Sequence, residues 1–201
     1  MIRLITGTLR GRKLDVPPSK ITRPTTDRVR ESIFNLLESY LAKQDRPFEG
    51  LLVLDAFAGS GALGFEALSR GAKHITFFEQ APAALKVLQH NAAHLKLKTS
   101  QVKILRIDAT KPPKMKVPAD LIFIDPPYGK KLVGPTYKAL VKAGWVASET
   151  SDPKTLFVIE TSDQEELPEF LKEAVISQRT YGSTVVSLIE GQIGCPAVIM
   201  Q

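Results

Sequence analysis

Asp125-Pro126-Pro127-Tyr128 is the run of this sequence best equipped for chemistry. Two prolines remove two backbone donors and stiffen the loop. The Asp125 carboxylate and the Pro126 carbonyl are then left as acceptors with no competing N–H. Such a set suits an exocyclic amine on an aromatic ring. That nitrogen is a poor nucleophile, because its lone pair is delocalised into the ring. Acceptors draw it toward sp³ geometry and take up the positive charge that develops as it attacks. Tyr128 adds a face on which a base can stack. The plain alternative is a Pro-Pro turn after a strand.

A second stretch supplies a ligand loop. Leu51 to Leu54 is a short apolar run closed by Asp55, as expected of a buried parallel strand. Ala56 to Gly61 follows, with Ala58, Gly59 and Gly61 leaving the backbone room to turn and to approach a ligand. A helix starting near Gly61 would aim free N–H groups at that ligand. Gly59-x-Gly61-x-x-Gly64 matches the dinucleotide fingerprint. A fixed carboxylate at Asp55 would repel a pyrophosphate, however, and would welcome a cation. S-adenosylmethionine, with its sulfonium and ammonium, is the favoured ligand. A dinucleotide and simple helix–strand packing stay open.

Other acids are expected at the same edge. Glu79, twenty residues after Gly59, ends the next strand and can accept two hydrogen bonds from a ribose diol. Asp108-Ala109 ends a third, where an adenine amino group would lie. Glu160 is read as closing a later strand, which makes five acidic strand ends with Asp55 and Asp125. His90 and His94 have an i, i+4 spacing that can bind metal. No carboxylate or cysteine joins them locally, so no metal is expected. Trp145 and Phe157 are read as core, and Cys195 as an inert tail residue.

These stretches need elements to hold them. Residues 2–16 look like a β-hairpin with Arg10-Gly11-Arg12-Lys13 on or beside its turn. Pro17-Pro18 and Pro24 bracket an extended linker. A helix from about Thr25 to Leu41 follows. Thr25 or Thr26 caps it, and Val29, Ile33, Leu36, Leu37, Tyr40 and Leu41 form one apolar face with Arg28 and Arg30 off it or at its margin. Helices are expected over 62–70, 82–96 and 132–143, and strands over 74–78, 102–107, 121–124 and 156–159. The segments 174–180 and 184–189 would form a final hairpin. This is βαβ alternation, an α/β doubly wound Rossmann-like sheet with a terminal antiparallel pair. The organisation expected is a basic N-terminal segment over 1–24 and one catalytic domain over 25–201.

At 43% hydrophobic, 201 residues can build one full core. No run of apolar residues is long enough to span a membrane, and no signal core opens the chain. One cysteine cannot form an internal disulfide, so a cytoplasmic setting is expected. Charge is unevenly spread. Residues 1–30 hold eight basic and two acidic side chains, which accounts for the formal +6 of the whole chain. A neutral body with a basic front end points to a polyanion. Arg10, Arg12, Lys13 and Arg23 are expected on RNA phosphates.

With these residues in hand, a resemblance is plain. Thr22–Asn35 (TRPTTDRVRESIFN), Leu54–Ala72 (LDAFAGSGALGFEALSRGA), Asp125–Tyr128 (DPPY) and Arg179–Glu190 (RTYGSTVVSLIE) resemble the bacterial RsmD family of 16S ribosomal RNA guanine-N2 methyltransferases. The resemblance begins at Leu9–Leu14 and covers nearly the whole chain. It implies a seven-stranded methyltransferase sheet, S-adenosylmethionine as donor, and small-subunit rRNA presented by assembled ribosomal particles. By the same resemblance Asp55, Gly59 and Gly61 form the donor loop, Glu79 holds the ribose, Asp108 lies by the adenine, and Asp125 to Tyr128 are catalytic. The segment around Thr25, Thr26 and Arg28 closes over the donor's methionine end. The tail from Gly191 corresponds least and is given no role. A monomer without membrane contact is expected. Rival readings are a DNA adenine-N6 or cytosine-N4 methyltransferase, a catalytically silent RNA-binding assembly factor, and a nicotinamide oxidoreductase. The first lacks room for a separate target-recognition domain, and the last is disfavoured by Asp55.

Overall fold

The computed structural model describes residues 1–18, 26–148 and 150–191. Arg23, Thr25 and Cys195 lie outside the described residues. Two compact units divide the chain, residues 1–107 and 108–201.

The first unit opens with two-residue strands, β1 (Ile2–Arg3) and β2 (Lys13–Leu14), paired antiparallel. They are far shorter than the hairpin expected. The reason lies in residues 4–12, which spend their backbone bonds on the chain turning back on itself and on a later helix. Leu4 N–H donates to Arg12 O at 2.9 Å and Gly11 N–H to Leu4 O at 2.9 Å. Helix α1 (Asp27–Lys43) follows, capped by Thr26, whose hydroxyl accepts from Val29 N–H at 3.3 Å. Ile33, Phe34, Leu37 and Leu41 form its buried face. Arg30 departs from the margin position expected of it and is fully buried. Its guanidinium donates to the Arg3 carbonyl and to the Asp27 carboxylate. Desolvation lowers its pKa, against the pull of Asp27 and Glu66.

Strands β3 (Leu52–Asp55), β4 (His74–Phe78) and β5 (Val102–Leu105) run parallel in the order β5-β4-β3. Helices α2 (Ala62–Ser69) and α3 (Pro82–His94) are their crossovers. Gly64 is where α2 lies on the sheet: a Cβ there would meet Phe77 at 2.3 Å. Phe65 packs on the same ring, with centroids 4.8 Å apart. The third glycine of the fingerprint thus serves helix–strand packing.

The second unit holds β6 (Leu121–Ile124), β7 (Thr155–Ser162), β8 (Val175–Tyr181) and β9 (Thr184–Gly191) in the order β6-β7-β9-β8. The β6–β7 pair is parallel, and both pairs made by β9 are antiparallel. The sheet therefore counts seven strands, three from the first unit and four from the second. Helix α4 (Val133–Lys142) packs Tyr137 on Phe157, with centroids 4.9 Å apart. A short helix, α5 (Glu169–Lys172), was not expected. Trp145 and Phe157 are core, as their neighbours in sequence suggest.

One expectation is corrected here. Glu160 does not end a strand. It is buried inside β7, opposite Val186, because β9 pairs with β7 over eight residues and carries the strand on to Ser162. Among the described residues no helix is long and apolar enough to cross a membrane.

Candidate active site

In the first unit, β3 delivers Asp55 buried at its carboxyl end. The loop after it closes by two backbone bonds, Ala58 N–H to Phe78 O at 3.0 Å and Gly61 N–H to Ala58 O at 2.7 Å. Gly61 is the residue before α2 and has φ +83°, a conformation that side chains rarely adopt. No side chain caps the helix there, which leaves its first N–H groups to a ligand. Gly59, at φ +53°, has nothing within 4 Å of where a Cβ would stand, so the loop has an open face. Glu79 fastens this loop. One carboxylate oxygen accepts Gly59 N–H at 2.9 Å and the other accepts Ala81 N–H at 2.7 Å, at the start of α3. Each oxygen keeps a second acceptor position for a hydroxyl. The donor set is thus two carboxylates beside an open glycine turn. It fits a cationic, hydroxyl-bearing ligand better than a pyrophosphate.

The basic segment belongs to the same unit. Arg10, Arg12 and Lys13 are exposed. The Arg12 guanidinium also donates to the His94 carbonyl at 2.7 Å, at the C-terminal end of α3, where a cation is favoured. The segment is seated on α2. The buried Glu66 accepts Ile5 N–H at 2.8 Å and Thr6 N–H at 3.0 Å, and Ser69 Oγ accepts Leu9 N–H at 2.9 Å. Thr26 spends its hydroxyl on the cap of α1, and Arg28 is exposed. His90 and His94 are exposed and their rings lie 6.4 Å apart; among the described residues no three metal-binding side chains cluster.

In the second unit, β5 having ended at Leu105, Asp108 stands in a turn and not at a strand end. Thr110 donates to its carboxylate from both N–H (2.9 Å) and hydroxyl (2.7 Å), which lowers its pKa. Ala109 is buried beside it. In the loop after β6, Ile124 and Pro126 are buried, Asp125 is half-buried, and Pro127 and Tyr128 are exposed. Burial pushes the Asp125 carboxyl up to about 7. The Tyr128 hydroxyl lies 3.0 Å from Thr184 Oγ1, which fixes the ring, and Gly129 N–H donates to Glu165 at 3.2 Å. Beside it opens a cavity of about 1040 Å³ lined by Tyr128, Lys131, Gly134, Lys138, Glu165 and Phe170, among others.

Several residues that hold these loops escaped the sequence reading. Glu66 sits in the apolar helix ALGFEALS, and Asn91 falls on the Leu88–Leu95 face of α3. A polar residue on an apolar stripe is a signal, and it was there to be read. Thr184 and Glu165 gave none, since their partners are set by the turn between distant elements.

Comparison with known proteins bears on the identity. The family described as conserved hypothetical protein 95 matches residues 2–190. A Haemophilus influenzae protein named ribosomal RNA small subunit methyltransferase D is 37% identical over 191 residues, covering 90% of this chain and 93% of that one. The Escherichia coli K12 protein of the same name is 39% identical over 168 residues, covering 83% and 78%. A solved structure of the Escherichia coli protein yhhF superposes with a TM-score of 0.74 at 34% identity, covering 95% of this chain and 98% of that chain. A Thermus structure, TTHA0928, gives 0.70 at 26%, covering 95% and 100%. The glycine loop behind Asp55, the loop at Asp125 and matches across nearly the full length agree: the chain belongs to the conserved hypothetical protein 95 family, the RsmD family of methyltransferases.

Proposed function

We propose that this protein transfers a methyl group from S-adenosylmethionine to the exocyclic N2 of a guanine in 16S rRNA, presented by an assembled small ribosomal particle. The observation that carries the reading is Asp125, an acid poised near neutrality at the mouth of a loop with two prolines and an exposed, tethered tyrosine. When bound, the donor supplies an electrophilic methyl on a sulfonium leaving group. Asp55 and Glu79 hold its cationic and ribose ends, Gly59, Gly61 and Ala58 bound the turn, and Asp108 with Ala109 lies by the adenine.

The target base leaves its stack and rests on Tyr128. The Asp125 carboxylate and the Pro126 carbonyl accept hydrogen bonds from the N2 amino group. Methylation would leave the amino nitrogen cationic. Asp125 stabilises that charge, takes one amino proton and passes it to water. A base with a pKa near the working pH suits that task. Positioning supplies much of the remaining rate. Arg10, Arg12, Lys13 and Arg23 contact phosphates, with residues 1–24 as the docking segment and 25–201 as the catalytic part. The protein works as a cytoplasmic monomer.

The test is transfer of label from S-adenosyl[methyl-³H]methionine to small subunits from cells lacking this gene, followed by nucleoside analysis. Label in N2-methylguanosine supports the reading. Label in N6-methyladenine of DNA would leave the methyltransferase and remove the substrate. RNA binding without any transfer would point to a silent assembly factor.

A further inference from the structure

The basic segment and the glycine loop are joined by one side chain. Asn91, on the buried face of α3, is 1% exposed. Its Oδ1 accepts Asp15 N–H at 2.9 Å, and its Nδ2 donates to Asp15 O at 3.0 Å and to Ser60 O at 2.9 Å. Asp15 directly follows β2, and Ser60 stands between Gly59 and Gly61. One N–H and two carbonyls leave the amide a single orientation. Three of its four hydrogen-bonding positions are used, in a site where an unmade bond is expensive. The Ser60 peptide lies between two glycines at positive φ, the part of the loop with most conformational freedom to lose.

We propose that Asn91 is a positioning residue that couples RNA docking on the basic segment to donor binding in the glycine loop; this rests on the functional reading above. A donor that orders residues 59–61 fixes the Ser60 carbonyl, and through Asn91 it fixes the peptide of Asp15 within the docking segment. The first ligand to bind carries the ordering of this frame, and the second meets it already set. The effect must be reciprocal.

Binding of purified small ribosomal subunits is measured with and without saturating S-adenosylhomocysteine, and binding of S-adenosylhomocysteine with and without subunits. Melting curves establish that each variant is folded at the assay temperature. The wild type is expected to show the same enhancement both ways, within the roughly 5–150-fold typical of coupled sites. Asn91→Ala should bring the factor close to one. Asn91→Asp keeps the acceptor for Asp15 N–H but sets a carboxylate against two carbonyls, and should lose coupling too. Ser69→Ala loosens the docking segment at Leu9 without touching the glycine loop, and should retain it. No enhancement in the wild type, full enhancement in Asn91→Ala, or equal loss in Ser69→Ala would each overturn the proposal. Neutralising Arg10, Arg12 and Lys13 separates the two levels. If subunit binding is unchanged, the docking reading falls and takes this one with it, whereas intact docking without coupling overturns this one alone.

Discussion

Asp125→Asn is the substitution that asks most of the mechanism. It keeps the shape of the side chain and removes its charge and its proton. Loss of one preorganised group aimed at developing charge typically slows a reaction by about 10²–10³, or roughly 3–4 kcal/mol. The structure adds a pH signature. Burial lifts the carboxyl from 3.8 in the unfolded chain to about 7 in the folded one. The carboxylate therefore forms late, and single-turnover transfer should rise as pH increases through about 7 and level off above it. Stability should move the other way. Between pH 4 and 7 the unfolded chain has given up this proton and the native chain holds it, so unfolding becomes easier as pH rises. The loss starts near the unfolded pKa and is complete above the folded one. A carboxyl raised this far changes stability by at most about 4 kcal/mol across that window. Asp125→Asn should be slow at every pH, should lack the inflection near 7, and should lose that part of the stability change in urea melts. Rapid-quench kinetics with tritiated donor from pH 5.5 to 9 would read the first effect. Wild-type rates in Asp125→Asn, or an inflection that survives in it, would refute the assignment of this carboxyl as the proton acceptor.

Three further outcomes are expected. Glu79→Gln keeps the size of a side chain that accepts Gly59 N–H and Ala81 N–H, but sets an NH₂ against one of them; S-adenosylhomocysteine should bind weaker by roughly 1–3 kcal/mol in calorimetry. Wild-type protein binding NADH more tightly than S-adenosylhomocysteine would reject the pocket altogether. Replacing Arg10, Arg12 and Lys13 by Gln should flatten the salt dependence of subunit binding by about two to three units of slope, with donor affinity unchanged. Tyr128→Phe keeps the ring while removing the hydroxyl that lies against Thr184 and should be mild, whereas Tyr128→Ala removes a stacking face worth roughly 1–3 kcal/mol and should raise KM for the RNA; equal behaviour of the two would mean that no base rests there.

The strand-and-helix order was legible because each element carries its own signal. Continuous apolar runs mark β3 and β6, a 3.6-residue stripe marks α1, and glycines mark the turns at 61, 71 and 144. The candidate site was legible where it is local, as at Asp125–Tyr128 and Asp55–Gly61. What failed was whatever depends on a distant partner. The length of β7, and with it the burial of Glu160, is set by β9, some thirty residues later. The burial of Arg30 depends on the Arg3 carbonyl, and the shortness of β1 and β2 depends on Glu66 and Ser69. Four-residue α5 is too short to show a period.

The seating of the basic segment also sets an order of events in synthesis. Residues 1–16 leave the ribosome well before their partners: Glu66 and Ser69 lie some sixty residues on, and Asn91 lies 76 beyond Asp15. At about 5–20 residues per second, roughly 4–15 s separate the synthesis of Asp15 from that of Asn91. Through that interval Arg3, Arg10, Arg12 and Lys13 belong to a chain without its seat, emerging from a particle made largely of polyanionic RNA. The basic segment is thus made some seconds before the residues that seat it.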